Sequence, residues 1–216
     1  MPPSSSSSTP HSEIRTPDSP SRLPHWGWLL LATVLLVIAA VGLSIWVPYQ
    51  REQALVAQIA RWGGASIVEP GGPVWLRKRL GDERMKRFVR VSQVHLNSSS
   101  INDEEMAYFN RLPRIDLLNL TRTSVGDAGI ANVRGLKTLT HLWLGDTQIT
   151  DAGVVHIAGL TGLTDVSLEG TNVSDASIPH LSKLINLTWL NLYRTRITEE
   201  GLQTLRKALP ACKIEL

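Results

Sequence analysis

The chain has 216 residues, 43% of them hydrophobic, which is enough for one or two ordinary domains. Its formal net charge of +3 is too small for the concentrated basic face that nucleic-acid binding needs. Its single cysteine, Cys212, excludes an intrachain disulfide and a cysteine-based metal cluster, and neither a nucleic-acid partner nor a cofactor is expected.

Residues 1–25 form a Ser/Pro-rich tail with Ser4 to Ser8 as a run, and almost nothing in them can enter a core, so disorder is expected. Arg15 and Arg22 cancel Glu13 and Asp18, so the positive excess lies further along the chain. Residues 26–47, Trp26 to Val47, are uncharged. As a helix they would extend about 33 Å, enough for the hydrocarbon core of a bilayer. Trp26 and Trp28 stand at one end and Trp46 and Tyr49 at the other, where aromatic rings meet the two interfaces. This length favours an uncleaved transmembrane helix over a signal peptide, whose apolar region runs about 7–15 residues. The expectation is a single-pass protein of the cell membrane with the lipid bilayer as a partner. Arg15 and Arg22 on one side are balanced by Arg51 and Arg61 on the other, so flanking charge does not orient the span. An extracytoplasmic repeat domain with a cytoplasmic tail is taken as the general case.

Residues 48–90 read as a helical linker and N-terminal cap. Pro48 closes the apolar block. Tyr49 to Trp62 places Leu55, Val56 and Ile59 on one side of a helix that stops at Gly63-Gly64. Ala65 to Val68 fits a short strand, and Pro70-Gly71-Gly72-Pro73 a turn. Val74 to Arg90 is basic and amphipathic, carrying Arg77, Lys78, Arg79, Arg84, Lys86, Arg87 and Arg90. Its expected role is to cover the end of the domain that follows, with contact to anionic lipid headgroups as a second role.

From residue 91 to residue 216 the sequence repeats with a period of 24 residues, through five full units and a truncated sixth. Position one is Val91, Ile115, Leu139, Leu163 and Leu187. Position four is Val94, Leu118, Leu142, Val166 and Leu190, and position six is Leu96, Leu120, Leu144, Leu168 and Leu192. Apolar residues alternating with mostly polar ones predict a strand with one buried face. Position nine is Ser99, Thr123, Thr147, Thr171 and Thr195, small hydroxyls suited to a turn. Pairs such as Thr150-Asp151 and Ser174-Asp175 predict a capped helix start with an acid near the positive end of the dipole. Apolar residues then recur every three positions, as in Met106, Phe109 and Leu112 or Val154, Ile157 and Leu160, which predicts a short helix with some 3₁₀ character. A strand, a turn and a helix cannot bury their faces alone, so the units must stack.

The unit Leu139-Thr-His-Leu-Trp-Leu-Gly-Asp-Thr-Gln-Ile-Thr-Asp-Ala-Gly-Val resembles the leucine-rich repeat, and more narrowly a bacterial variety with a "GTxITDAGL" core. Thr or Ser stands at position nine where many members have Asn or Cys. The resemblance implies an α/β solenoid, curved, with a parallel sheet on its concave face and short helices on the convex one, and a general use in binding proteins.

Positions three, five and seven of each strand point away from the core. They are Gln93, His95 and Asn97; Leu117, Asn119 and Thr121; His141, Trp143 and Gly145; Asp165, Ser167 and Glu169; Trp189, Asn191 and Tyr193. Two tryptophans, a tyrosine and a leucine facing solvent suggest interface anchors. The expected partner-binding residues are His95, Asn119, His141, Trp143, Asp165, Trp189, Asn191 and Tyr193. No enzyme is expected. His141, Asp165 and Ser167 form only a superficial triad, without an oxyanion site or pocket. His156 and His180 are 24 apart through repetition, which is not a metal-ligand spacing. The expected function is a membrane-anchored module that binds a protein partner. The alternative is an envelope-assembly protein self-associating through its last strand, Ala211 to Leu216, as a homo-oligomer.

Overall fold

The computed structural model describes residues 25–70, 78, 79, 81, 89–111 and 114–216. The Ser/Pro tail, the turn beyond Pro70, most of the basic stretch from Val74 and the apolar Leu112 of the first repeat lie outside the described residues. The described residues fall into two compact units, one ending at Ser44 and one beginning at Ile45.

The first unit holds the start of helix α1, His25–Arg61. Within it Trp26–Leu43 is an 18-residue window of mean hydropathy 2.3, and its large side chains are exposed. Pro48, expected to close the apolar helix, lies inside α1, so one helix replaces the two that the sequence suggested. A proline removes one backbone hydrogen bond and strains the preceding turn, but an apolar helix with good formers on both sides absorbs this.

The second unit is a single seven-stranded sheet in sequence order. Its strands are β1 Ala65–Pro70, β2 Val89–His95, β3 Leu117–Asn119, β4 His141–Trp143, β5 Asp165–Ser167, β6 Trp189–Asn191 and β7 Lys213–Glu215. From β2 onward every pairing is parallel and offset by 24 residues, as in Leu118 opposite Leu142 and Leu142 opposite Val166. The sequence period is therefore the strand register. Position-four side chains in β3 to β6 and the position-six side chains just after each strand are fully buried, and Val133, Val154, Ile157, Leu181 and Leu205 of the return segments close over them in one continuous core.

The return segments are short. They are a 3₁₀ turn at Glu105–Arg111, α2 at Asp127–Ile130 followed by a 3₁₀ turn, α3 at Asp151–Ile157, α4 at Ile178–Leu181 and α5 at Glu199–Ala208. Thr150, Ser174 and Thr198 cap their segments, each hydroxyl accepting a backbone N–H from the first turn. The aspartates after them do more than favour the dipole. Asp127 accepts from the backbone N–H and the hydroxyl of Thr150 in the next repeat, at 2.8 and 2.6 Å. Asp151 does the same to Ser174, and Asp175 to Thr198. Position thirteen is thus a staple between repeats. Position nine ties the turn within a repeat, since Thr123, Thr147, Thr171 and Thr195 each donate to the carbonyl three residues back.

The end of the core beside β2 is closed by β1, antiparallel to β2, and by the last turns of α1. Leu55, Ile59 and Trp62 are buried there. Trp62 lies 5.6 Å from the Tyr108 ring and 6.5 Å from that of Phe109, and its indole N–H donates to Glu105 at 2.8 Å. The described part of the cap therefore comes from the segment before Pro70. Val89 and Arg90, expected to end a basic helix, instead begin β2, because Val91 and Val94 take buried strand positions.

Candidate functional site

The face of the sheet turned away from the core is built by positions three, five, seven and eight. Position eight is the least expected column. Ser98, Arg122, Asp146, Gly170 and Arg194 all have positive φ, between 52° and 64°. Each follows its strand in a left-handed turn, and after the last four of them the hydroxyls of Thr123, Thr147, Thr171 and Thr195 fold back. A left-handed conformation is uncommon for residues other than glycine, so the column carries strain except at Gly170. It also carries charge. Arg122 approaches Asp146 at 3.4 Å, and Arg194 reaches Asp146 from two repeats away, passing over Gly170. A Cβ on Gly170 would collide with both Asp146 and Arg194. Arg194 also lies 3.9 Å from Glu169 and 5.9 Å from the centroid of the Tyr193 ring.

The eight residues expected to bind a partner all lie on this face, but not equally. Trp143 and Trp189 are partly exposed and Tyr193 is 52% exposed. His141 and Asp165 pair across adjacent strands at 3.4 Å, and Asp165 also accepts from the Thr164 hydroxyl at 2.6 Å. Asn191 accepts from the N–H of Tyr193 at 2.9 Å and donates to Glu169 at 3.3 Å. Asn119 is buried, 8% exposed, with its carbonyl taking the N–H of Thr121 at 3.0 Å. The rings of His95 and Trp143, 6.5 Å apart, meet from the strands on either side of it. Asn119 is therefore a turn former under a ring pair. Leu117, read as facing solvent, is buried as well, because neighbouring strands bring Gln93 and His141 beside it.

Between Trp143 and Trp189 lies a hollow of about 190 Å³. Ser167 forms its floor, 8% exposed, and Arg122, Asp146, Glu169 and Asn191 stand at its edges. Among the described residues the Ser167 hydroxyl meets no hydrogen-bond partner, so it has no base and the superficial triad has no linked nucleophile. No group of three or more His, Cys, Asp or Glu is placed to hold a metal ion among the described residues. His156 faces Arg134 on the helical side, where burial first and then that guanidinium push its pKa down.

Arg122, Asp146, Ser167 and Glu169 were missed as site residues by sequence reasoning. Ser167 and Glu169 stood in outward positions but are individually unremarkable. The charged column at position eight was detectable as Arg122, Asp146 and Arg194 recurring in register, with glycine in the same column as the sign of a left-handed turn.

No protein-family model matches the sequence. No curated protein matches it. Solved structures do. An internalin (inlF) from Listeria monocytogenes is similar over 57% of this chain and 34% of its own, with 22% identity and a TM-score of 0.50. An internalin C2 from the same organism has 18% identity over 57% of this chain and 70% of its own, with a TM-score of 0.37. A leucine-rich-repeat protein from Leptospira interrogans has 19% identity over 51% of this chain and 33% of its own, with a TM-score of 0.39. The chain thus spans about a third of the length of the first of these. The first likeness gives the fold: the stacked strands are those of a leucine-rich-repeat solenoid.

Proposed function

We propose that this chain is a membrane-tethered interaction module that captures a protein partner on the outer, concave face of its parallel sheet. The observation that carries the reading is the hollow between Trp143 and Trp189. Large aromatic side chains partly exposed around a recess, with the buried Ser167 at its floor, form the arrangement in which interface anchors contribute most. The face offers no linked nucleophile and base, so binding accounts for it better than catalysis. Capture of a protein is the general use of the solenoid that the fold implies. Tethering is supported by the apolar window Trp26–Leu43, whose side chains are exposed and uncharged.

The test is site-specific photocross-linking of the full chain in cells. A photoreactive side chain replaces Tyr193 on the sheet face or, as control, Ile185, which is 73% exposed at the end of a return segment. A discrete adduct is expected only from position 193. Trp143→Ala and Trp189→Ala are each expected to weaken capture by about thirtyfold, the loss of one interface anchor of roughly 2 kcal/mol. Equal adducts from both positions, or capture unchanged by both alanine variants, would sink the concave-face reading.

A further inference from the structure

The two tryptophans stand on the strands either side of β5. Trp143 inclines toward β2, its ring edge-on to that of His95 at 60°. Trp189 stands on β6 beside β7, opposite Lys213. The strand between them, β5, presents the small Ser167, and this is why a recess opens there. Its roughly 190 Å³ is below the ~300 Å³ at which pockets for drug-sized ligands begin, so it admits one long side chain.

The charges around the recess are not equally committed. Asp146 is held by both Arg122 and Arg194. Glu169 has only the distant edge of Arg194 at 3.9 Å and a long amide contact from Asn191 at 3.3 Å. The recess is lined by one guanidinium, Arg122, against two carboxylates, Asp146 and Glu169, with Arg194 reaching both acids from outside the lining; Glu169 is the less tightly held of the two acids. Ser167, a residue 8% exposed, lines the recess, and its hydroxyl has no hydrogen-bond partner among the described residues.

We propose that the recess receives a cationic side chain of the protein partner, the guanidinium of an arginine or the ammonium of a lysine. The inference rests on the partner-binding reading above and names its chemistry. Tryptophan faces attract cations more strongly than other aromatic rings do. The Ser167 oxygen accepts one N–H, and Glu169 supplies the counter-charge. An anionic residue would meet two carboxylates, Asp146 and Glu169, against the single guanidinium of Arg122 in the lining. A neutral ring, such as a sugar, could stack on tryptophan but would leave the Glu169 carboxylate unanswered.

The test uses the full chain in detergent with ¹⁵N-labelled indoles, the signals of Trp143 and Trp189 being assigned by single Phe substitutions. Acetylated, amidated tripeptides Gly-Xaa-Gly are titrated in, with Arg, Lys, the neutral arginine isostere citrulline, or Glu at the centre, and methyl glucoside in a parallel series. The Arg or Lys peptide is expected to shift both indole signals and leave that of Trp62 in place. Citrulline, or the Glu169→Gln variant with the Arg peptide, should weaken the response about tenfold, the loss of one charge-assisted contact. An equal response to citrulline, a response to methyl glucoside without one to the cations, no response at all, or indifference to Glu169→Gln overturns the proposal. If the Tyr193 cross-link persists while the titration fails, the cation is wrong and the binding face stands. Loss of the cross-link overturns both.

Discussion

Gly153 is buried in the first turn of α3, and the atom nearest to where its Cβ would stand is a carboxylate oxygen of Asp127 in the preceding repeat. The Asp-Ala-Gly run is therefore one device written across two repeats. The aspartate reaches forward to the Thr150 N–H and hydroxyl, and the glycine of the next unit leaves it room. Asp127→Ala should cost about 2 kcal/mol, since a partly buried N–H and a hydroxyl lose a charged acceptor. Gly153→Ala should cost about 1–3 kcal/mol by overpacking. Combined, they should destabilise by about 1 kcal/mol less than their sum, because the first removes the atom that the second strikes. Thermal unfolding of the detergent-solubilised chain measures the cycle, and strict additivity would separate the glycine from the aspartate.

Two carboxyls at the same scale bend stability with pH in opposite directions. The Thr198 hydroxyl, then the Thr198 N–H, hold Asp175 below the usual carboxylate range. A depressed acid stabilises the fold above its ordinary pKa and loses that contribution as pH falls through the folded value. Thr198→Val should therefore flatten the loss of stability below about pH 4. Burial pushes Glu52 up, against the N–H of Val91 and the charge of Arg90. A raised acid favours the fold at low pH, and its contribution disappears as pH climbs from about 4.3 through the folded value. Glu52→Gln keeps a carbonyl for Val91 and should remove that decline. A stability profile from pH 3 to 8, unchanged in either variant, would show that neither group is linked to folding.

At the scale of elements, the repeat strands were the most legible part of the molecule. A 24-residue period in an uninterrupted array forces equal registers, so Leu118, Leu142 and Leu190 could be placed in the core from spacing alone. The return helices were legible as positions but not as types. Four-residue α-turns alternate with 3₁₀ turns because three-residue apolar spacing satisfies both. The left-handed column at position eight was legible only through Gly170, since arginine, aspartate and serine elsewhere in it conceal the same conformation. Nor was the burial of Asn119, which depends on His95 and Trp143 in strands 24 residues away on either side. Linker and N-terminal cap were expected across residues 48–90; α1 and β1 supply the described part, and most of the basic stretch lies outside the described residues. That assignment makes Trp62 a keystone of the first repeat. Trp62→Ala should cost about 3–5 kcal/mol, as for other buried tryptophans, because it removes two ring contacts and the bond to Glu105. Since the core of each repeat packs against that of its neighbours, the damage should stay local. Hydrogen exchange should rise at the Leu96 and Ser98 amides, which bond to β3 and the turn after it, before it rises at Leu144. A uniform rise would show that the array unfolds as one cooperative body.

At the scale of the whole molecule, the proposed tether and the proposed binding face can be separated experimentally. The window Trp26–Leu43 carries no charged residue over 18 positions, and as a helix it rises about 27 Å, close to the thickness of a hydrocarbon core. An apolar surface of that length left in water would associate or aggregate, whereas a bilayer removes it from water at no cost to the repeats. The full chain should therefore sediment with membranes and resist extraction at alkaline pH. Replacing Leu35 and Leu36 by lysine places two charges near the middle of the window, each costing about 3 kcal/mol on insertion scales. That variant should be released, while the purified variant keeps the cation response of Trp143 and Trp189. A cleaved signal sequence would satisfy the same hydropathy, and intact mass distinguishes the two: a mature chain beginning after residue 40 would overturn the tether. Release of the unmodified chain by alkali would do the same, and would leave the sheet face untouched as a free binding module.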